Sequence, residues 1–472
     1  MTQASRVSLE RALLEIDRAC QDGAVVRDPD VLEAYAGDES EAPRRRPDAL
    51  VRASNAREVE AVLAAATKHG VPVTPRGAGT GRVGGAVPSM GGIVLSTESM
   101  RSIVDVSDEE LVAVVQPGVV TGALHEAVEA EGLFYPPDPN SLGTCTIGGN
   151  LACNAGGPRA FKYGVTGDFV LSLEVVTAEG TRLHVGKPTV KGVTGYDLAK
   201  LVVGSEGTLG VITQARMRLV PRPEALRTLL VFVPDDETIG RGITGLLRRG
   251  IVPRCVELVD SIALELIRTS AGLAIPEGAR AMLLVELDGP ELLLEREVER
   301  TGNAFYDEGA LEILTADRGA ERERLWGARR ELSRTLRKTA RFKLSEDVVV
   351  PRTRVFDLLR VCRELSARHG VVMPTYGHAG DGNLHVNFLW NDEAQRPDVD
   401  RAIRGLFEAT IALGGTLSGE HGIGVLKAPY LHLEQSPELI ALQKRIKGLF
   451  DPAGILNPGK IFDPGHRAHG PC

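Results

Sequence analysis

The sequence lacks the motifs of several common protein classes. Its six cysteines are scattered, at positions 20, 145, 153, 255, 362 and 472, and no two of them form a CxxC pair. An iron–sulfur cluster, a zinc ribbon or a disulfide framework needs closely spaced cysteines, so this distribution argues against all three. No apolar run approaches the ~20 residues that a membrane-spanning helix requires. The sequence therefore predicts a protein of a reducing compartment, without a membrane span.

Basic residues are also fewer than acidic residues. Lys and Arg total 55 against 63 Asp and Glu, which gives a net charge of −8. Nucleic acid and anionic membrane are therefore disfavoured as main partners. Near the N-terminus, Glu10, Glu15 and Asp17 interrupt an apolar-periodic stretch. That pattern predicts an amphipathic helix rather than a signal peptide, and we expect a cytoplasmic protein. The length of 472 residues indicates two or three domains and favours a large enzyme.

Glycine is abundant, and most of its 53 residues fall in clusters at 77–92, 143–167, 192–210, 377–382 and 414–424. Such clusters mark places where the backbone must approach something closely. Between them the pattern predicts α+β structure. In the first half we expect a helix over 56–69 and strands over 71–74, 93–96, 111–115, 170–177, 181–185 and 209–213. After a boundary at Val220–Pro223 we expect a second α/β or ferredoxin-like unit, with strands over 228–233, 282–287, 371–376 and 384–389 and helices over 291–308, 318–338 and 354–369.

The first glycine cluster contains a formal GxGxxG from Gly79 to Gly84, with Glu98 at a distance suited to a ribose contact. In a Rossmann site this turn opens a helix, and the glycine- and proline-rich run 84–92 cannot form one. A nest of backbone N–H groups around a pyrophosphate explains the residues better. By spacing alone, a plain glycine-rich surface loop is an equally weighted alternative.

Two further clusters, at 136–157 and 191–213, combine prolines, hydroxyls and glycines that can line a long flat ligand. The motifs PRGAGTG, IGGNLACNAGG and VGSEGTLGVIT resemble those of the FAD-binding domain of the vanillyl-alcohol oxidase / p-cresol methylhydroxylase (PCMH) superfamily over residues 40–220. The resemblance implies a two-subdomain, PCMH-type domain that binds FAD. Because 71–92, one place where the superfamily attaches FAD covalently, contains no histidine, we expect non-covalent FAD. The cofactor-binding residues implied are Arg76, Gly77, Ala78, Gly79, Thr80 and Gly81 at the pyrophosphate, Ser141, Thr144, Thr146, Gly148, Gly149 and Asn150 beside the isoalloxazine and ribityl chain, Gly207, Thr208 and Ile212 towards the adenine, and in addition Pro139, Gly157 and Asn457.

The second half carries a histidine–acid pattern. In GHAGDGNLHVN, a tight turn separates His378 from His385, so a strand–turn–strand can bring both imidazoles together, with Asn387 on the same face as His385. In SGEHGIG, Glu420 and His421 stand side by side on a loop. Two His and one Glu suit a catalytic zinc or another divalent ion. Structural histidines are the alternative, and non-haem iron is disfavoured because the flavin motifs would then give the chain two unrelated redox centres.

These two motifs, closed by residues 450–460, resemble the C-terminal domain of FAD-linked D-2-hydroxyacid dehydrogenases, the family of D-lactate dehydrogenase, D-2-hydroxyglutarate dehydrogenase and the glycolate oxidase large subunit. The resemblance implies a divalent metal, with zinc preferred to manganese or iron. The roles it implies are metal ligands His378, His385 and Glu420, catalytic base His421, carboxylate clamp Arg329, and substrate contacts Ser333, Lys343 and Asn387. The spacing to Lys343 departs from the hydroxyglutarate enzymes, and Arg329 with Arg330 would otherwise be interpreted as a solvated helix face.

The expected organisation is an N-terminal helical segment (1–40), the FAD-binding domain (41–221), a ferredoxin-like substrate and metal domain of the FAD-linked oxidase C-terminal type (222–425), a segment returning to the FAD domain (426–462) and a loose tail (463–472). The expected activity is oxidation of D-lactate, glycolate or D-2-hydroxyglutarate to the 2-oxo acid. Electrons would pass to an external acceptor, namely a quinone-linked subunit at the inner face of the membrane, an electron-transfer flavoprotein or a cytochrome. A homodimer is compatible with this. The alternatives are a non-redox flavin transferase of the alkyl-dihydroxyacetonephosphate synthase type, against which Glu420 speaks, and a non-catalytic FAD-binding subunit.

Overall fold

The computed structural model describes residues 3–268, 275–316 and 319–462, and these form two compact units. The first unit comprises residues 3–155, 165–222 and 420–462, so the chain leaves it and returns at its C-terminal end. The second unit comprises residues 156–164 and the described part of 223–419. The tail predicted for 463–472 lies outside the described residues.

Helices and strands are spread along the whole described chain. The helices are α1 (Gln3–Ala19), α2 (Pro29–Glu33), α3 (Ala56–His69), α4 (Thr121–Ala130), α5 (Ile147–Cys153), α6 (Ala160–Tyr163), α7 (Leu198–Val202), α8 (Asp236–Arg248), α9 (Ser261–Ile267), α10 (Glu291–Asp307), α11 (Gly319–Arg337), α12 (Val355–His369), α13 (Arg396–Ala412) and α14 (Pro437–Phe450). The strands are β1 (Val25–Val26), β2 (Ala49–Arg52), β3 (Val73–Arg76), β4 (Ile93–Ser96), β5 (Ile103–Ser107), β6 (Val112–Val115), β7 (Leu133–Phe134), β8 (Val170–Val176), β9 (Arg182–Gly186), β10 (Val211–Arg218), β11 (Val220–Pro221), β12 (Ala225–Val233), β13 (Cys255–Val259), β14 (Ala281–Gly289), β15 (Glu312–Ala316), β16 (Phe342–Val349), β17 (Thr375–His378) and β18 (Asn383–Trp390).

The first unit contains two main sheets. One has four strands in the order β1-β2-β4-β3, of which β2, β4 and β3 run parallel. The other has five antiparallel strands in the order β5-β6-β10-β8-β9. A short β11-β7 pair completes the unit. Two separate sheets in this unit agree with the predicted two-subdomain organisation.

Helix α3 shows how local sequence fixes the first subdomain. Asn55 caps it by accepting a hydrogen bond from the Glu58 backbone N–H, and Gly70, with φ +63°, ends it in the left-handed conformation that glycine adopts without strain. The N–H of Val71 then bonds back to the carbonyl of Ala66, which completes a Schellman motif. This bond explains why the strand predicted to begin at Val71 begins at Val73 instead.

The C-terminal segment of the described chain joins the parallel sheet. Leu456 forms a parallel bridge to Val73, and the backbone N–H of Asn457 donates to the Val73 carbonyl at 2.7 Å. Ile455 and Leu456 are buried in the same apolar core as α1, α3 and strands β2 to β4. Burial of each such side chain contributes roughly 1.5–3 kcal/mol, so this contact ties the segment firmly to the first unit.

The second unit is built on one antiparallel sheet of seven strands in the order β15-β12-β14-β13-β17-β18-β16. Its central strands are almost entirely apolar and buried, as in the run Leu229–Val233. Helices α9 and α11 pack beside this sheet and contribute Leu264, Leu332 and Leu336 to a shared core. The three strands β13, β17 and β18 lie side by side, and β17 and β18 carry His378, His385 and Asn387 of the histidine–acid pattern.

Helix α11 is one of the longest, at 19 residues, yet it is rich in Arg and Glu. Among the described helices, none is both long and apolar enough to cross a membrane. The predicted helices over 291–308 and 354–369 are confirmed to within one residue, as α10 and α12. The strand predicted over 371–376 is wrong in its first four residues. Pro374 has no N–H to donate to a ladder, and β17 begins at Thr375.

Candidate functional site

The glycine loop that follows β3 is the first part of the candidate site. Residues 77–92 contain no helix, as expected from their composition, and so do not form a Rossmann turn. Gly79 has φ +73°, and a Cβ placed there would meet the Arg76 guanidinium at 2.1 Å. That guanidinium is buried, donates to the Gly37 carbonyl at 2.7 Å and stacks over the Tyr35 ring. Burial lowers the pKa of Arg76. The side chain of Arg76 therefore shapes the loop from within.

The second glycine cluster lies directly against this loop. A Cβ on Gly77 would meet Thr146 Oγ1 at 2.4 Å, so only glycine allows the two segments to approach. Thr146 precedes α5, whose first turn contains Gly148 and Gly149. Among the described residues, the buried Thr146 hydroxyl has no hydrogen-bond partner. A buried hydroxyl without a partner costs free energy, and it marks a position where a polar ligand atom fits.

Asn457 links the first and third clusters. Its Nδ2 donates to the carbonyls of Gly85 at 3.0 Å and Glu206 at 2.7 Å. Its Oδ1 is buried and, within the described chain, has no hydrogen-bond partner. Lys460 lies three residues further on, where its Nζ donates to the Val87 carbonyl, and burial lowers its pKa to about 8. Apart from residues 156–157, the three glycine clusters predicted to bind one cofactor are thus held together within the first unit.

The remaining predicted cofactor residues differ in their surroundings. Ser141 and Thr144 lie in a turn, in which the Ser141 carbonyl accepts from the Thr144 backbone and hydroxyl, and Thr144 is exposed. Thr208 and Ile212 are buried around the start of β10. Gly157 belongs to the short segment 156–164 of the second unit.

In the second unit, β17 and β18 form the hairpin that the sequence predicts, and it brings two histidines together. Asp381 closes the turn by accepting from the Asn383 backbone N–H at 3.1 Å, and Gly382 has φ +86°. His378 lies opposite Asn383 across the hairpin, and the His378 and His385 ring centroids are 5.3 Å apart. The prediction that this turn unites the two imidazoles is confirmed by this geometry.

A buried carboxylate that the sequence analysis did not single out joins this pair. Glu257, on β13, is 1% exposed, and its Oε1 lies 2.5 Å from His378 Nδ1. Its Oε2 accepts from Arg329 Nε at 2.8 Å and lies 2.6 Å from Arg329 Nη2. Burial alone would raise the pKa of Glu257, but the charges of His378 and Arg329 outweigh it and lower the pKa to about 2. Glu257 therefore contacts a predicted metal ligand and the predicted substrate clamp at once.

Asp347, on β16, is a second carboxylate outside the sequence prediction. It is fully buried and lies opposite His385 in the strand register. It accepts hydrogen bonds from Asn383 Nδ2 at 2.5 Å, Ser418 Oγ at 2.9 Å and the Gly419 backbone N–H at 2.8 Å. Asp347 thus fixes the end of the second unit, immediately before Glu420.

The three predicted metal ligands can share an ion. His378, His385 and Glu420 each offer one ligand atom, and these atoms lie within 4.8 Å of one another. Because Glu257 binds His378 through Nδ1, the Nε2 atom of that ring is the one left for a metal. Two imidazoles and one carboxylate form a donor set that suits Zn²⁺, and also Mn²⁺ or Fe²⁺.

The loop that carries His421 is fastened in the first unit. The Glu206 carboxylate accepts from the backbone N–H groups of Ile423 at 2.7 Å and Gly424 at 2.8 Å. Burial raises the pKa of Glu206 in spite of these hydrogen bonds. His421 Nε2 lies 3.9 Å from Glu420 Oε1, too far for a hydrogen bond, and the His421 side chain is 18% exposed. His421 is thus partly accessible and next to a proposed ligand.

The predicted substrate contacts lie on α11 and the sheet. Lys343 Nζ, on β16, donates to Ser333 Oγ on α11 at 3.1 Å, so two residues that the sequence connected only loosely are neighbours. The Arg329 guanidinium lies over the Tyr376 ring, with CZ 4.8 Å from the centroid. Asn387 donates through Nδ2 to the carbonyls of Pro374 and His385, and its buried Oδ1 has no partner among the described residues. The placement of Arg329, 9% exposed, rules out the solvated helix face for this residue.

Comparison with protein families places this geometry in a known class. Residues 47–186 match the family model described as FAD binding domain, and residues 222–461 match the one described as FAD linked oxidases, C-terminal domain. The protein is thus a two-domain flavoprotein. The chain belongs to the family of FAD-linked oxidases, and the predicted family is confirmed.

Its relatives match over nearly their whole length. The glycolate oxidase subunit GlcD of Bacillus subtilis is 40% identical over 91% of this chain and 92% of its own. The D-lactate dehydrogenase of Archaeoglobus fulgidus is 37% identical over 91% and 95%. The D-2-hydroxyglutarate dehydrogenase of Stutzerimonas stutzeri is 32% identical over 95% and 98%. These relatives support the prediction that the chain is an FAD-linked oxidoreductase.

Solved structures confirm the fold. A p-cresol methylhydroxylase matches with a TM-score of 0.80 over 99% of this chain and 98% of its own, at 18% identity. An alkyldihydroxyacetonephosphate synthase matches with a TM-score of 0.74 over 95% and 85%, also at 18% identity. At this identity the likeness shows a shared fold and not a shared activity. The predicted fold class, a PCMH-type FAD-binding domain with an FAD-linked oxidase C-terminal domain, is correct.

Proposed function

We propose that the protein oxidises a small D-2-hydroxy acid, such as D-lactate, glycolate or D-2-hydroxyglutarate, to the 2-oxo acid. The observation that carries the proposal is the group formed by His378, His385 and Glu420. These three residues would hold a divalent ion with positions left open, and such an ion would supply Lewis-acid chemistry to a hydroxy acid. The names of the relatives, which include a glycolate oxidase subunit and a D-lactate dehydrogenase, support the same substrate class.

FAD fits the first unit. Thr146 Oγ1 and Asn457 Oδ1 are buried polar atoms without partners in the described chain, and Gly77 leaves room that a Cβ would fill. We assign the three glycine clusters to non-covalent FAD, because residues 71–92 contain no histidine. The bound flavin supplies a two-electron acceptor for a hydride, and the protein supplies its binding and surroundings.

Each polar residue of the site has a distinct task. Arg329 binds the substrate carboxylate through its Nη1/Nη2 edge, because its Nε/Nη2 edge pairs with Glu257. His378, His385 and Glu420 would hold a divalent ion, which would supply Lewis-acid stabilisation of the hydroxyl oxygen. His421 accepts the hydroxyl proton at an imidazole nitrogen. Asn387 Oδ1 and the Lys343–Ser333 pair offer polar contacts to the remainder of the substrate.

Electrons leave for an external acceptor. The scattered cysteines offer no cluster site within the chain, so a quinone-linked subunit, an electron-transfer flavoprotein or a cytochrome takes this part. We further propose a cytoplasmic location, with any membrane contact made through the acceptor.

An anaerobic substrate screen tests the proposed function. The purified FAD-loaded protein is mixed with D-lactate, glycolate or D-2-hydroxyglutarate, and the loss of flavin absorbance is followed by stopped flow. At least one of the three should bleach the flavin, and L-lactate and L-2-hydroxyglutarate serve as stereochemical controls. If full-occupancy enzyme is reduced by dithionite but by none of the three acids, the proposed substrate class is wrong.

Arg329→Lys should raise KM and lower kcat together, with a loss in kcat/KM of about 10²-fold. A lysine is a point charge and cannot pair with Glu257 and orient a carboxylate in one plane. Steady-state kinetics with the best acid of the screen measures the effect. Arg254→Lys is the matched control, since Arg254 is a buried arginine beside Glu286 with no assigned site role. If Arg329→Lys and the parent have equal kinetics, Arg329 does not bind the substrate carboxylate.

A further inference from the structure

We propose that Glu257 is a positioning residue that orients the metal ligand His378 and the substrate clamp Arg329 as one unit. This inference rests on the proposed function. Glu257 lies opposite His378 in the β13–β17 register, and each carboxylate oxygen serves a different partner. Oε1 faces His378 Nδ1 at 2.5 Å, and Oε2 accepts from Arg329 Nε at 2.8 Å. One carboxylate therefore connects a proposed metal ligand with the residue proposed to bind the substrate carboxylate.

The contact with His378 determines which ring nitrogen can bind a metal. Glu257 Oε1 lies 2.5 Å from His378 Nδ1, so Nδ1 is the ring nitrogen that faces the carboxylate. Nε2, the ring nitrogen that does not face Glu257, is then the atom that a metal would take. Hydrogen bonds of this kind also fix the ring plane and raise the basicity of the ligand. Without Glu257 the ring could rotate and change tautomer, and metal affinity would fall.

The contact with Arg329 determines how the guanidinium is presented. Arg329 is held on one edge by Glu257, and the face of the guanidinium lies over the Tyr376 ring. Tyr376 and His378 belong to the same strand, so the clamp and the ligand share one rigid support. The negative charge of Glu257 also offsets the positive charge of Arg329 beside a cation site. Without that carboxylate, Arg329 and the ion would repel each other directly.

A purely structural ion pair is the competing explanation, and the same sheet contains one for comparison. Glu286, on β14, is 5% exposed and lies 3.2 Å from Arg254 Nε. It also accepts from Trp326 Nε1 at 3.0 Å. Glu286 is thus a buried glutamate paired with a buried arginine, as Glu257 is, but it contacts none of the proposed ligands. It is a matched control for the effect of removing such a pair from this sheet.

The experiment compares Glu257→Gln, Glu257→Asp and Glu286→Gln in the full-length FAD-loaded protein. Metal is removed by chelation, and Zn²⁺ alone is titrated against a chromophoric chelator. Glu257→Gln should weaken Zn²⁺ affinity by ~10–100-fold and raise the KM for the acid identified in the screen. Glu257→Asp keeps the charge but is one methylene shorter, so it should bind Zn²⁺ with an affinity between those of the parent and Glu257→Gln. Glu286→Gln should match the parent in both measurements.

Each result supports or overturns the inference. If the parent binds no Zn²⁺, the proposed metal site fails, and the inference fails with it. If the parent binds Zn²⁺ and Glu257→Gln has the same affinity and KM, the inference alone is overturned. An equal loss in Glu286→Gln would overturn it too, because the effect would then be general to the sheet. Should Glu257→Gln fail to fold, Glu257→Asp decides, since parental Zn²⁺ affinity in that variant contradicts a positioning role.

Discussion

His421→Asn should slow the reduction of bound FAD by the hydroxy acid by about 10²–10⁴-fold, the usual cost of losing a general base. Only the chemical step should be affected, because His421 is proposed to act as a base and not as a metal ligand. A ligated imidazole has no lone pair left to accept a proton. A site that uses both histidine motifs therefore needs one imidazole outside the metal shell. We propose that His421 is that imidazole, since the proposed ligands are His378, His385 and Glu420. Stopped-flow reduction under anaerobic conditions measures the rate directly.

Metal content and substrate binding separate this role from a ligand role. In His421→Asn both should stay near those of the parent, and added metal should give no rescue. His432→Asn, an exposed histidine of the same C-terminal segment, is the matched control and should be reduced at the parental rate. The division of labour is wrong if His421→Asn is reduced as fast as the parent or loses its metal.

The glycine clusters and the two histidine motifs could be predicted from sequence because local rules decide them. A glycine at Gly79 or Gly382 reports a positive φ that few other residues adopt, and a tight turn between His378 and His385 forces the two strands into one hairpin. In the same way, Asn55 and Gly70 mark the two ends of α3. Each of these signals spans only a few residues. The PCMH-type fold followed from the family resemblance that the motifs and their order carry.

The carboxylates that support the site depend on strand register, and local sequence does not show it. Glu257 meets His378 across 121 residues of chain, and Glu206 meets Ile423 across 217. Asp347 occurs in a strand with Lys343 and Glu346 nearby, a polar run that hides its buried position. One usable signal existed for Glu257. Glu257 is the single carboxylate in the otherwise apolar strand Cys255–Val259. A glutamate is almost never fully buried unless it is paired, so this position predicts a partner.

The predicted start of one strand was wrong for a related reason. The strand predicted over 371–376 begins only at Thr375, although the apolar residues before it suit a strand. Val372 does reach Leu389, but only as an isolated bridge, because the following Pro374 interrupts the ladder. The ladder resumes at Thr375, and within it His378 pairs with Asn383. Apolar periodicity locates a strand, but hydrogen-bond partners decide where it starts.

Chelation should abolish turnover of the parent while FAD stays bound, and Glu420→Gln should reproduce most of that loss. The proposed ligands are distinct from the glycine clusters assigned to FAD, so removing the ion leaves flavin absorbance unchanged. A glutamine keeps the size of Glu420 but replaces a charged ligand by a neutral one, which weakens metal affinity. Because His378 and His385 remain, excess Zn²⁺ or Mn²⁺ should restore part of the activity. Recovery with metal is the property that distinguishes Glu420 from His421, its neighbour in the chain.

Glu438→Gln is the matched control for this change, since Glu438 is an exposed glutamate at the start of α14 in the same C-terminal segment. It should keep parental activity and parental sensitivity to chelator. The metal content of each purified variant, determined by elemental analysis alongside activity, connects loss of the ion to loss of turnover. Full activity in metal-free parent would remove the ion from the mechanism. If Glu420→Gln keeps the metal affinity of the parent, the ion is bound without this carboxylate. The proposed three-ligand site would then be wrong.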